Sequence, residues 1–170
     1  MFARLEEVMS RIALLLAILL AANSAIALEK EDILGTWKLV SSKRKVLETG
    51  EEIDTYGARP TGWINYGPDG RMMALIVNDG RPKPESIEKM TDAERIKLFR
   101  SVLAYSGSYA FDGKSVSHNI DTSWNEVWTG TTQIRDIERQ GNRLIYRTRP
   151  APFSGDGKMS VVTLIWEKPE

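Results

Sequence analysis

The side chains able to do chemistry in this chain are few. His118 is the only histidine and there is no cysteine, which excludes a multi-histidine metal site, a disulfide and a thiolate nucleophile within one chain. His118 alternates with Val116 and Ile120. On an inward strand face it reads either as a core imidazole held by a hydrogen bond, or as a ligand-contacting donor or acid–base group. Gln133 and Arg135 flank Ile134. Alternation alone puts the polar pair outside and Ile134 inside. Turned inward, Arg135 needs a carboxylate, carbonyls or an aromatic face. Among the aromatic residues, Tyr66, Tyr109, Trp124 and Trp128 are candidates for the wall or rim of a small-molecule pocket, against the plainer reading that they fill a core. No serine stands in a Gly-x-Ser-x-Gly elbow. Ser154-Gly155-Asp156-Gly157-Lys158 is not a phosphate loop, because Pro152 stands where its first glycine belongs, and there is no dinucleotide fingerprint or EF-hand spacing. No catalytic set, metal site or cofactor is therefore expected.

The elements that would position these residues are strands. Gly35-Thr36-Trp37 opens the first, over 35–42, with Trp37, Leu39 and Ser41 on one face. Gly35 allows close backbone approach, and Trp37 is large enough to plug one end of a barrel. A polar connection over 43–60 follows, in which Lys43-Arg44-Lys45 reads as a solvated turn. Residues 61–66 and 71–77 form a hairpin around Pro68-Asp69-Gly70, the Asp-Gly pair suiting a tight turn. Thr91-Asp92-Ala93-Glu94 is a capping box. Ile96, Phe99 and Leu103 make an apolar stripe behind it, predicting a helix over 92–103 that buries this stripe against the strands. Five more strands follow, at 105–111, 114–121, 128–137, 143–149 and 159–167, with Trp166 near the end of the last in a core or closure role. Eight strands, short turns and no βαβ pattern predict an all-β, eight-stranded antiparallel up-and-down barrel with one helix inserted between its third and fourth strands.

The totals narrow the partners. With 23 basic and 23 acidic residues the formal net charge is zero, which argues against nucleic acid. Arg4 and Arg11 flank an apolar run over 12–22 that is too short for a membrane span, and Ala25-Ile26-Ala27 has the form of a cleavage site. Residues 1–27 thus read as a signal peptide, or as an uncleaved anchor, and 28–170 as one barrel domain. A cysteine-free exported domain fits a periplasmic or secreted location, with no membrane contact once the peptide is removed.

Several motifs occur in a telling order: Gly35-Thr36-Trp37-Lys38-Leu39-Val40, then Gly62-Trp63-Ile64-Asn65-Tyr66 with Pro68-Asp69-Gly70. Tyr105-Ser106-Gly107-Ser108-Tyr109 precedes Asp112-Gly113 and His118. Trp128-Thr129-Gly130-Thr131-Thr132-Gln133-Ile134-Arg135 comes next, and Leu164-Ile165-Trp166-Glu167-Lys168 ends the series. In these the chain resembles the bacterial lipocalin-like domain family of the calycin superfamily. The resemblance implies an eight-stranded antiparallel barrel around a cavity. It also implies a structural or binding role for Gln133 and Arg135, which points them inward. The helix position and the lack of a disulfide depart from vertebrate-type lipocalins. The expected function is binding of a small apolar or amphipathic molecule. The rivals are a cavity enzyme of isomerase, cyclase or hydro-lyase type using His118 and Arg135, and a filled barrel with a structural or interaction role.

Overall fold

Alternation of buried and exposed side chains, strict in residues 61–66 and 71–77, builds the wall of this protein. The computed structural model describes residues 28–169, so the signal-peptide reading of 1–27 lies outside the described residues. Strand β1 spans Gly35–Val46, β2 Glu52–Asp54, β3 Thr61–Tyr66, β4 Arg71–Val77, β5 Val102–Phe111, β6 Ser115–Ser123, β7 Thr132–Gln140, β8 Arg143–Thr148, β9 Ala151–Pro152 and β10 Met159–Glu167. Helix α1, Asp92–Arg100, lies between β4 and β5. Every neighbouring pair is antiparallel, and β10 returns to pair with β1. The result is a closed barrel of eight staves: β1, β3, β4, β5, β6, β7, β8 and β10. The short β2 and β9 extend its rim and were not foreseen. Closure leaves no long free edge to aggregate.

In β3 and β4, Gly62, Ile64, Tyr66, Met72, Ala74 and Ile76 all point inward. Strand β1 does not keep one phase. It is bulged between Leu39 and Ser41, and the extra residue flips the faces beyond it. Trp37 and Leu39 are buried before the bulge, Ser42, Arg44 and Val46 after it. Two expectations fail for this reason. Ser41 does not share the inner face of Trp37. Lys43-Arg44-Lys45 is not a solvated turn but part of β1, with Arg44 buried.

The end of the barrel nearest Gly35 is sealed. Trp37 is 2% exposed, and its Nε1 donates to the Ile33 carbonyl at 2.8 Å. The Lys168 ammonium stands 4.5 Å from the ring centroid, and burial holds its pKa below the ordinary lysine value. Gly35 has φ +91°, and a Cβ there would meet Lys168 Nζ at 2.9 Å. The positive φ favours glycine at the turn into β1, while the Lys168 ammonium, at the end of a flexible side chain, could shift aside. Burying an indole this fully contributes about 3 kcal/mol. At this end the hairpin turns are short. At the other end the chain spends 47–60, 78–101, 124–131 and 149–158 on longer connections.

Helix α1 is capped as expected: Glu94 N donates to Thr91 Oγ1 at 3.3 Å, and Thr91 N to Glu94 Oε2 at 2.8 Å. Its stripe is not buried, however. Ile96 is 52% and Phe99 53% exposed, and no residue of α1 is buried. Leu103 belongs to β5 instead. Local bonds hold the helix: Arg95 Nη2 to the Ile87 carbonyl at 2.9 Å and Arg81 Nη2 to the Leu98 carbonyl at 3.4 Å.

Candidate functional site

Between the plug and the long connections lies a cavity of about 590 Å³. Its polar floor begins with His118, which is 1% exposed. Tyr66 Oη lies 2.6 Å from its Nε2, and Tyr105 Oη 2.8 Å from its Nδ1. Alternation in β6 turns His118 inward with Val116 and Ile120. Register sets Tyr109 opposite it on β5 and Gln133 opposite it on β7. Burial first, and the nearby Arg135 charge second, push the imidazole pKa down to about 3, so the ring is neutral at neutral pH. The reading of His118 as a core histidine with one hydrogen bond undercounts its bonds. Both nitrogens are engaged, and the ring bridges two phenols.

Tyr146, on the inner face of β8 with Leu144, extends this group. It raises the Tyr66 pKa further, after burial, which places its hydroxyl beside that of Tyr66. Yet Tyr146 Oη meets no partner with hydrogen-bonding geometry, and neither does Trp166 Nε1 on the adjoining strand. Both residues line the cavity, and both are 2% exposed or less. A buried polar atom without a partner costs roughly 1–3 kcal/mol. These two carry that cost at the edge of the cavity. Tyr146 was not singled out in the sequence, although its alternation with Leu144 in β8 was the available signal.

Gln133 and Arg135 both face inward. Val116 pairs with Arg135 and His118 with Gln133, and directly paired residues share a face. Since Val116 and His118 are internal, the pair is too, against simple alternation and in accord with the family motif. Arg135 Nη1 donates to the Ile134 carbonyl at 2.9 Å and approaches Gln133 Oε1 at 3.5 Å. Its charge counters the burial that raises the Tyr56, Tyr66 and Tyr105 pKa values, in keeping with the inward face that its pairing gives it.

Aromatic side chains form one side of the mouth. Trp124 and Trp128 meet edge to face at 5.1 Å between centroids, and Trp128 lies 5.8 Å from Tyr105. Trp128 sits in a short 3-10 turn, Glu126–Trp128, rather than in the strand expected over 128–137. Across the mouth the 149–158 connection is strapped down by Arg44. Its Nη2 donates to both Asp156 carboxylate oxygens at 2.8 and 2.9 Å, its Nε to Ser160 Oγ at 2.9 Å, and its guanidinium lies 4.1 Å from the Phe153 centroid. The bulge in β1 makes this clasp, and nothing in the sequence periodicity announces it.

The cavity thus gathers His118, Trp124, Trp128, Gln133 and Arg135, with Trp166 at its base. Tyr66 and Tyr109 lie below it, in the packed layer above the plug: their rings meet edge to face at 4.8 Å, and Tyr109 Oη donates to the Gly67 carbonyl at 2.9 Å. Among the described residues no His, Cys, Asp and Glu side chains are grouped to hold a metal ion, and no helix is long and apolar enough to cross a membrane.

A closed eight-stranded antiparallel barrel, plugged at one end and hollow toward the other, is a calyx-type architecture. A family model described as a lipocalin-like domain matches residues 34–169, and the chain belongs to that family. Its fold suggests a binding role. No curated protein matches the chain. Among solved structures, an uncharacterized protein from Bacteroides eggerthii is similar at 12% identity, with a TM-score of 0.38 over 81% of this chain and 99% of that one.

Proposed function

We propose that the protein is an exported barrel that binds a small amphipathic molecule in its cavity. The observation that carries this reading is the pair of orphaned donors, Tyr146 Oη and Trp166 Nε1, on the wall of a cavity of about 590 Å³ that opens at the rim. Pockets of that volume suit drug-sized molecules, with apolar walls for affinity and a few polar groups for orientation. Here Ile64, Ile76 and Leu164 supply apolar wall, and Trp124 and Trp128 an aromatic rim. A barrel filled solid would have no such space, and a His118 acid–base centre is ill served by an imidazole whose two nitrogens are both occupied. Export rests on the apolar run over 12–22 and the Ala25-Ile26-Ala27 pattern.

Two measurements test the proposal. Titration with the neutral fluorophore Nile red is expected to saturate at one site per chain, with emission shifted to the blue. Mass spectrometry of protein secreted from its host is expected to find a chain beginning at Leu28. Absence of saturable binding would remove the first half of the reading, and an intact N-terminus the second.

A further inference from the structure

The polar groups of the cavity are unbalanced. Six lining side chains can only donate hydrogen bonds: Arg100, Arg135, Arg149, Trp124, Trp128 and Trp166. None of the lining side chains among the described residues can only accept, since no Asp or Glu is among them. This is a local feature, because the whole chain is neutral. Arg149 stands at the rim, within ion-pair distance of Asp136 at 3.9 Å. Arg135 is different. It is half-buried on the inner face, between Val116 of β6 and Thr148 of β8. Among the described residues it has no carboxylate within 4.0 Å. Only its Nη1 donates, and Nε and Nη2 find no acceptor among the described residues. A half-buried guanidinium without a counter-ion leaves a positive charge facing the cavity, and its free fork matches a planar pair of anionic oxygens. Below it, Tyr146 and Trp166 offer further unmet donors, both nine-tenths buried or more.

We infer that the ligand carries an anionic, carboxylate-like head group that pairs with Arg135, on an apolar body that fills the rest of the cavity. This rests on the proposed binding role and adds the charge of the ligand to it. The unmet donors of Tyr146 and Trp166 then take acceptor atoms on that body, such as a carbonyl or ether oxygen. A neutral hydrocarbon would leave all three sites unpaired, and a cationic amphiphile would meet only like charge.

The test compares acids with matched alcohols as competitors of Nile red: decanoate against decanol, and naphthylacetate against naphthylethanol, at pH 7 and low salt. At least one acid is expected to bind about tenfold or more tightly than its alcohol, as a charge-assisted bidentate pair should. In Arg135→Gln, which keeps a polar side chain of similar reach, the preference is expected to vanish while Nile red and alcohol binding persist. Arg135→Lys is expected to keep part of it. If Nile red binds and both alcohols equal or outcompete their acids, or neither acid displaces the dye, the anionic head group is overturned while the binding role stands. If Nile red does not bind, the binding role itself fails. The wild-type comparison decides even if a variant does not fold.

Discussion

Protonation of His118 should set the acid limit of the fold through pH 5–7. The ring has an ordinary value of 6.5 when unfolded and about 3 when folded. Between those values the unfolded chain carries a proton that the folded chain does not, so stability rises with pH across the window. The contribution is complete above pH 6.5 and is lost as pH falls toward 3. Over the whole window the loss is about 5 kcal/mol, and between pH 7 and pH 5 about 2 kcal/mol. At pH 5 the folded ring is still neutral, so the loss to that point reflects protonation of the unfolded ring alone. This is the only histidine; carboxylates held below their ordinary values, such as Glu94 and Glu138, add to the slope only as pH approaches 5, so the pH 7 to 6 interval isolates His118. Urea unfolding at pH 7, 6 and 5 is the assay. With a slope of about 2 kcal/mol per molar urea, the midpoint should fall by about 1 M from pH 7 to pH 5. The Cε1–H resonance of the folded protein, unambiguous in a single-histidine chain, should not move between pH 8 and pH 5. A flat midpoint, or a folded ring titrating near 6.5, would refute the argument that burial, with the Arg135 charge, holds the imidazole neutral.

Three substitutions test other parts of the structure. A Cβ at Gly107 would fall on the Asn119 backbone carbonyl in the paired strand, which cannot move aside as a side chain can. Gly107→Ala should therefore cost about 3 kcal/mol or more, read as a Tm lowered by roughly 10 °C, and a melt within about 2 °C of wild type would show that β5 and β6 separate easily. Ile96→Ser should change stability by less than about 0.5 kcal/mol, because α1 buries nothing, and a larger loss in urea unfolding would restore the packed stripe expected from the sequence. Asp156→Ala removes the carboxylate from buried Arg44 but not Ser160 or Phe153. Since Asp156 is itself exposed, only a modest loss of stability is expected, with faster hydrogen exchange over 149–158. Unchanged exchange would mean the clasp does not hold that connection.

The barrel was legible because most of its staves keep one phase. Thr61–Tyr66 and Arg71–Val77 alternate without a break around an Asp-Gly turn, and Gly35-Thr36-Trp37 announces the plugged end. The parts that were not legible share a cause: periodicity says which residues share a face, not what that face meets. The stripe of α1 is real, yet the barrel wall does not cover it. Gln133 and Arg135 alternate with Ile134, and only pairing with Val116 and His118 shows which set is inside. In β1 one extra residue reverses the phase, turning Arg44 from a surface base into the buried clasp on Asp156. A bulge has no hydrophobic signature, so only coordinates reveal it.

The neutrality of His118 also leaves a phenolic proton to place among its tyrosine partners. A neutral imidazole has one N–H and one bare nitrogen, so its two tyrosines cannot play the same part. One phenol donates to the bare nitrogen and the other accepts from the N–H. The accepting phenol keeps its own proton for another acceptor. If that phenol is Tyr105, the spare proton faces the cavity directly, since Tyr105 lines it. If it is Tyr66, the spare proton points toward the adjacent Tyr146, which lines the cavity in its place. Either tautomer therefore leaves one more phenolic proton among the tyrosines than this cluster can absorb, and both arrangements deliver it to the same hollow. An acceptor on the bound molecule would select one tautomer over the other. Replacing Tyr105 or Tyr146 by Phe should then weaken a ligand bearing a carbonyl more than its hydrocarbon analogue, by about 1 kcal/mol for a single neutral hydrogen bond. Equal losses for the two ligands would show that the tyrosines serve packing alone.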